Sequence, residues 1–143
     1  MLVDIRDADL AEAPVLAGLM AAFGYPVDAD ALRPRLERLI GLGEVPLVAV
    51  VDTVVVGVLT WHVTPVLHRP APVGRITAMV VAESWRGRGV GAALVLAAEQ
   101  RLAARGCSLM EVTSHDSREA AHRFYQRLGY ERSGVRLGKV LAG

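Results

Sequence analysis

Residues Glu83 to Leu94 read ESWRGRGVGAAL, and the fold turns on why glycines 87, 89 and 91 alternate where a helix should begin. Glycine is the poorest ordinary residue for starting a helix, so something other than helix stability accounts for it. The run before it, ITAMVV (Ile76 to Val81), is built of β-formers. The residues after it, Val90 to Arg105, set Val90, Ala93, Leu94, Ala97 and Leu102 in one apolar stripe that Gly106 closes. A strand, a glycine turn and a helix start together present unpaired N–H groups to an anion. Arg86 and Arg88 add positive charge to the same turn.

Outward from this turn the chain alternates strand and helix signals. VDIR (Val3 to Arg6) reads as a first strand. Asp9 with Glu12 makes a capping-box start, Pro14 fits the first turn of a helix, and Gly24-Tyr25-Pro26 breaks that helix after Phe23. A second helix starts at Asp28 or Asp30, with Leu32, Leu36 and Leu39 or Ile40 on one face and Pro34 in its early turns. Pro46 to Val51 and Val54 to Val63 read as a hairpin joined at Asp52-Thr53. TPVLHRPAP (Thr64 to Pro72) is too rich in proline to lie inside a sheet. Leu109 to Thr113 is a strand and Ser117 to Leu128 a helix. Tyr130 to Ser133 and Val135 to Leu141 read as short closing strands. The hairpin region should be antiparallel, and the two strands flanking the Val90 helix parallel through a right-handed crossover.

Which anion the turn holds depends on the motif. A Walker A loop needs a lysine after its last glycine, and none is there. Gly87, Gly89 and Ala92 fit the dinucleotide fingerprint, with Glu111 about 20 residues on as a ribose partner. Against that reading, three strands and two helices precede the turn, and too little chain follows Glu111 for a second mononucleotide half. The run R-G-R-G-V-G (Arg86 to Gly91) also matches R/Q-x-x-G-x-G/A, and REAAHRFYQRLGYE (Arg118 to Glu131) matches A-x-x-(L/F)-Y-x-(K/R)-x-G-(F/Y) through Ala121, Phe124, Tyr125, Arg127, Gly129 and Tyr130. In these two motifs, and in the order of its elements, the chain resembles the GNAT-superfamily N-acetyltransferases.

That resemblance implies a mixed α/β (α+β) fold. Its central sheet would be mostly antiparallel, of six to seven strands, with a parallel splayed pair in the middle and about four helices. All of it would form a single domain over residues 1–143. It implies acetyl-coenzyme A as co-substrate, its pyrophosphate gripped by Arg86, Gly87, Arg88, Gly89, Val90, Gly91 and Ala92. The pantetheine arm would pair with Met79, Val80 and Val81 as an added strand, and an N–H near Val80 would polarise the thioester carbonyl. Tyr125 is the expected general acid. The glutamate that many relatives carry early in the strand is missing, for the chain reads RITAM there, so His115 becomes the candidate base because histidine titrates near neutrality. His62, Glu83 and Glu111 stand near the same cleft. Arg118 occupies a position where an asparagine is common, and with Ala121 it is expected near the cofactor.

Composition excludes several classes. The chain has 143 residues, 52% of them hydrophobic, with mean hydropathy +0.35, enough for one sizeable core. No apolar run approaches the roughly 20 residues that span a bilayer. The opening MLVDIRDADL carries acids where a signal peptide carries basic residues, so the expectation is a cytoplasmic protein without a membrane segment. Cys107 is the only cysteine, which rules out an internal disulfide and a cysteine metal cluster; no metal site is expected. The net charge of +1 does not point to nucleic acid. The expected partner is an amine acceptor, small molecule or peptide, and the apolar composition suggests a homodimer. An acyl-coenzyme A binding module without catalysis, and a nucleotide-dependent redox protein, are the alternatives.

Overall fold

The computed structural model describes residues 2–113 and 119–142. The chain forms two compact units, Met1–Val112 and Thr113–Gly143. The first holds β1 (Asp4–Asp7), α1 (Ala13–Phe23), α2 (Ala29–Gly41), β2 (Leu47–Val51), β3 (Val54–Thr64), β4 (Val73–Val81), α3 (Val90–Ala104) and β5 (Leu109–Val112). The strands make one sheet of order β1-β2-β3-β4-β5. Neighbours from β1 to β4 are antiparallel, and β5 runs parallel to β4.

The helix starts are those the side chains dictate. Ahead of α1 the Asp9 carboxylate accepts from the Ala11 N–H at 2.8 Å, and Glu12 reaches back to the Asp9 N–H at 2.7 Å. Asp28 caps α2 by accepting from the Ala31 N–H at 2.7 Å. Gly24, at φ 102°, ends α1 in the left-handed conformation that glycine adopts without a Cβ penalty. The hairpin between β2 and β3 turns on Asp52 (φ 47°) and Thr53 (φ 66°), two left-handed residues in succession, as a type I′ turn requires.

Successive strand residues face opposite sides, which assigns the layers. Val48, Val58 and Val80 pack with Leu16, Leu19, Leu32 and Leu36 of α1 and α2. Gly57, one residue from Val58, faces the other way, and a Cβ on it would meet Leu94 Cδ1 at 3.1 Å and Val90 Cγ1 at 3.4 Å. Thus α1 and α2 cover one face and α3 the other. At the far end of α3, a Cβ on Gly74 would meet Leu102 Cβ at 3.2 Å. Two strand glycines therefore let α3 lie close on the sheet along its length. Under its last turns Trp61 is fully buried, its Nε1 donating to the Val45 carbonyl at 2.8 Å, with the Arg105 guanidinium 5.4 Å from its ring.

In the second unit α4 (Glu119–Arg127) ends at Gly129, φ 95°, where the Tyr125 carbonyl accepts from the Leu128 and Tyr130 N–H groups at 3.0 Å. Three expectations need correction. The sheet has five strands among the described residues, not six to seven, because neither 130–133 nor 135–141 forms one. A β-forming composition makes a strand only against a partner, and Gly134 and Gly138 interrupt the run. The parallel pair consequently lies at the sheet edge and not in its middle. Finally, β4 begins at Val73 instead of Ile76, since Val73 and Gly74 pair with Thr64 and Val63.

Candidate functional site

The glycine turn stands where the sequence puts it, between β4 and α3. Gly87 (φ 74°) and Gly89 (φ 84°) are both left-handed, and Gly89 is the residue capping α3. A Cβ at either position would have no neighbour within 4 Å, so these glycines answer to backbone conformation and not to protein packing. No side chain caps the helix, and the first intrahelical acceptor, the Gly89 carbonyl, bonds to the Ala93 N–H at 3.1 Å. The N–H groups of Val90, Gly91 and Ala92 thus lack a helical acceptor, at the positive end of a fifteen-residue helix.

The two arginines of the turn differ. Arg86, an exposed residue, donates through Nε to the Val81 carbonyl at 3.2 Å, which ties the turn to the end of β4. Arg88 lies over the Trp85 ring, 5.1 Å from its centroid. The set is positive, exposed and rich in N–H donors, which fits a diphosphate.

Beside the turn, β4 has an open edge. Its pairing with β5 runs from Val73↔Leu109 to Ile76↔Val112 and goes no further among the described residues. From Ala78 to Val81, β4 pairs with β3 on one side and with no other strand among the described residues. The Ala82 N–H donates to the Val56 carbonyl at 2.8 Å, so by antiparallel alternation Val80 turns its N–H and carbonyl toward β3. Met79 and Val81 turn theirs to the open edge, and the Arg86 contact to the Val81 carbonyl agrees with that direction. The N–H expected near Val80 is therefore that of Met79 or Val81, while the Val80 side chain belongs to the core under α1.

A bulge sets what flanks the edge. Thr60 pairs with Ala78 but Trp61 pairs with Ile76, so Thr77 is an extra residue in β4. The shift turns Ile76 inward beside Trp61 and brings Arg75 to the opposite face beside His62. The hydroxyls of Thr60 and Thr77 meet at 2.8 Å on that face. Arg75 pairs in register with Glu111 of β5, their charged groups 3.8 Å apart. His62 Nδ1 lies 2.9 Å from Glu44 Oε1, and the Val63 N–H donates to Glu44 Oε2 at 2.7 Å. Burial raises the Glu44 pKa, but the bonds from His62 and Val63 and the charge of Arg105 outweigh it and hold the carboxyl below its ordinary range. Sequence reasoning missed Arg75 and the Glu44–His62 contact, because His62 meets Arg75 only through the bulged register and meets Glu44 only once the chain has folded.

In the second unit Tyr125 is buried on α4, edge-on to Phe124 at 5.0 Å and to Tyr130 at 5.7 Å. Burial pushes its phenol up to about 12, so it is protonated at every physiological pH and keeps an O–H to donate. Ala121 is half-buried on the same helix. His115 and Arg118 lie outside the described residues. Glu83 forms part of a short 3-10 turn, Glu83–Trp85. Cys107 is a half-buried free thiol whose pKa burial raises, against the opposing charge of Arg105, which suits packing better than nucleophilic attack. No helix among the described residues is long and apolar enough to cross a membrane.

Comparison with known proteins agrees with this geometry. Over 87 residues the chain is 37% identical to an aminoalkylphosphonate N-acetyltransferase of Salmonella typhimurium, a match covering 61% of this chain and 56% of that protein. The chain thus spans about half the length of that relative. A crystal structure described as a transcriptional regulator from Bacillus halodurans superposes with TM-score 0.88 at 25% identity, covering 98% of this chain and 100% of that one. The aminoglycoside N-acetyltransferase AAC(6')-Iy, solved with CoA, superposes with TM-score 0.87 at 20% identity, covering 99% of this chain and 96% of that one. Residues 13–130 match the acetyltransferase (GNAT) family. With its glycine turn, open strand edge and second motif on α4, the chain belongs to the GNAT acetyltransferase family.

Proposed function

We propose that the chain is an N-acetyltransferase that uses acetyl-coenzyme A to acetylate an amine of a small-molecule or peptide acceptor. One juxtaposition carries the reading: an uncapped helix start with left-handed glycines follows directly on a strand whose edge, among the described residues, is open from Thr77 to Val81. The first offers donors to a diphosphate. The second offers backbone groups to an amide-bearing chain, which would add as a strand does. When bound, acetyl-coenzyme A supplies the acyl group as an activated thioester.

The residues divide the work. The N–H groups of Val90, Gly91 and Ala92, the turn from Gly87 to Gly89, and Arg86 and Arg88 hold the diphosphate. The Met79 and Val81 backbone aligns the arm, and an N–H on that edge polarises the carbonyl. Tyr125 donates its proton to the departing sulfur; burial keeps the phenol protonated but makes it a weaker acid, so the transfer accompanies departure of the thiolate and does not precede it. His115 is assigned as proton acceptor for the incoming ammonium, and Arg118 and Ala121 as cofactor contacts, on motif position alone. Both units act as one acetyltransferase domain over residues 1–143, which the family match across 13–130 supports. The acceptor is an amine of the kind the relatives' names indicate, an aminoalkylphosphonate or an aminoglycoside. The proposal extends to a cytoplasmic homodimer that covers the exposed Val135, Leu137, Val140 and Leu141; a light-scattering mass of one chain would reject the dimer.

Calorimetric titration with coenzyme A, acetyl-coenzyme A and NAD, followed by thiol release over an amine panel, tests the reading. Coenzyme A binding with amine-dependent thiol release supports it. Binding without release leaves an acyl-coenzyme A module, and binding of NAD alone would indicate a redox protein.

A further inference from the structure

Resting on that reading, we infer that the acceptor is a short amine bearing an oxyacid group, a carboxylate or a phosphonate, and that Arg75 is the residue that selects it. The argument starts from the faces of the sheet. The glycine turn leads into α3, so a diphosphate held there lies on the α3 side, where Gly57 and Gly74 admit the helix. An amine meeting an acyl group at the open edge of β4 has the opposite face to approach from. There the bulge at Thr77 sets His62 beside Arg75, β4–β5 pairing sets Arg75 beside Glu111, and Glu44 bonds His62 from the other side, next to the row where β4 and β5 part at Ile76↔Val112.

The members of the row are not equally available. Glu44 is committed: one oxygen meets His62 Nδ1 at 2.9 Å and the other accepts from the Val63 N–H at 2.7 Å. His62 is thereby held on its β2 side. Arg75 and Glu111 stand 3.8 Å apart, beyond hydrogen-bond distance, with side chains 47% and 43% exposed. The face therefore offers one guanidinium fork and one carboxylate side by side, with the Thr60 and Thr77 hydroxyls adjoining. That pattern complements a small zwitterion, the fork taking two oxygens of the acid and Glu111 steadying the ammonium. A polycation such as an aminoglycoside would set its charge against Arg75 instead. The two classes that the relatives' substrates represent are thus separated by a single side chain.

Thiol release is measured with 2-aminoethylphosphonate, β-alanine, propylamine and spermidine, on the wild type and on Arg75→Gln, Arg75→Lys and Glu111→Gln. The wild type is expected to favour the first two amines. Arg75→Gln should reduce the ratio of kcat/KM for 2-aminoethylphosphonate over propylamine about 10–100-fold, as loss of a charged hydrogen-bonded pair does. Arg75→Lys, which keeps the charge but not the fork, should fall between. Glu111→Gln should raise KM for the zwitterions without reversing the preference for acids. The ratio between the phosphonate and β-alanine tells which oxyacid the fork prefers. Wild-type preference for spermidine, or a ratio that Arg75→Gln leaves within twofold, overturns the inference. Should no amine release thiol, the proposed function falls. Calorimetry of 2-aminoethylphosphonate against wild type and Arg75→Gln then still decides: weaker binding by tenfold in the variant supports the inference, and equal or no binding overturns it.

Discussion

Replacing Gly57 with alanine tests whether a strand glycine sets the helix start that the proposed site depends on. The new Cβ would stand 3.1 Å from Leu94 Cδ1, 3.2 Å from the Val80 carbonyl oxygen and 3.4 Å from Val90 Cγ1. The carbonyl is part of the β3–β4 ladder and cannot swing away. Leu94 and Val90 are buried to 0% and 1% exposure, so neither has an empty rotamer to adopt. The strain must push the first turns of α3 off the sheet, and overpacking of this kind costs about 1–3 kcal/mol. For a chain of this size that lowers Tm by roughly 3–10 °C. Because Val90 is the first residue of α3, the same displacement moves the N–H groups assigned to the diphosphate, and coenzyme A should bind about 3–10-fold more weakly. Gly74→Ala is the control. Its Cβ would crowd Met110 Sδ at 2.8 Å and Leu102 at the far end of α3, so it should lower Tm without weakening coenzyme A binding. Thermal melts with calorimetry on both variants decide the matter. Unchanged Tm in Gly57→Ala, or equal losses of coenzyme A affinity in the two variants, would refute the reasoning.

Other outcomes follow from single contacts. Thr53→Gly should stabilise the chain by about 1 kcal/mol in urea unfolding, because a β-branched residue now occupies φ 66°. Trp61→Phe should cost about 1–3 kcal/mol, since it leaves the Val45 carbonyl without its donor and removes the surface under Arg101 and Arg105. Glu12 is held below the ordinary carboxylate range by its bond to Arg6, with burial opposing and the Asp9 N–H assisting. A depressed carboxyl stabilises above its unfolded pKa and loses that contribution as pH falls through its folded value, so Glu12→Gln should cost about 0.5–1 kcal/mol at pH 7. That difference should begin to shrink as pH falls past the unfolded value of about 4.3 and vanish only below the lower folded value, and a gap that stays constant through acidification contradicts the assignment. Tyr125→Phe should lower turnover about 10²-fold or more with coenzyme A affinity unchanged; undiminished turnover removes Tyr125 from the mechanism.

Much of this was legible because it is local. The glycine turn, the capping box at Asp9, the Asp52-Thr53 hairpin and the glycine ends of the helices each follow from residues a few positions apart. What escaped is set by pairing over distance. The run VGRITAMVV does not state that Thr77 is bulged, and without the bulge Ile76, not Arg75, would stand beside His62. Nor could it reveal that Arg86 spends a donor on Val81, since that contact exists only once the turn folds back on its strand. The surplus strands came from reading β-formers after Tyr130 without asking what would pair with them.

The central claim is that the open edge of β4 and the start of α3 are one cofactor site, and amide hydrogen exchange with and without coenzyme A tests it most directly. Binding should slow exchange at Met79 or Val81 and at Val90, Gly91 and Ala92, while the Val80 amide, turned to β3, stays as it was. Protection confined to other parts of the chain, or none at Met79 and Val81, would contradict the account.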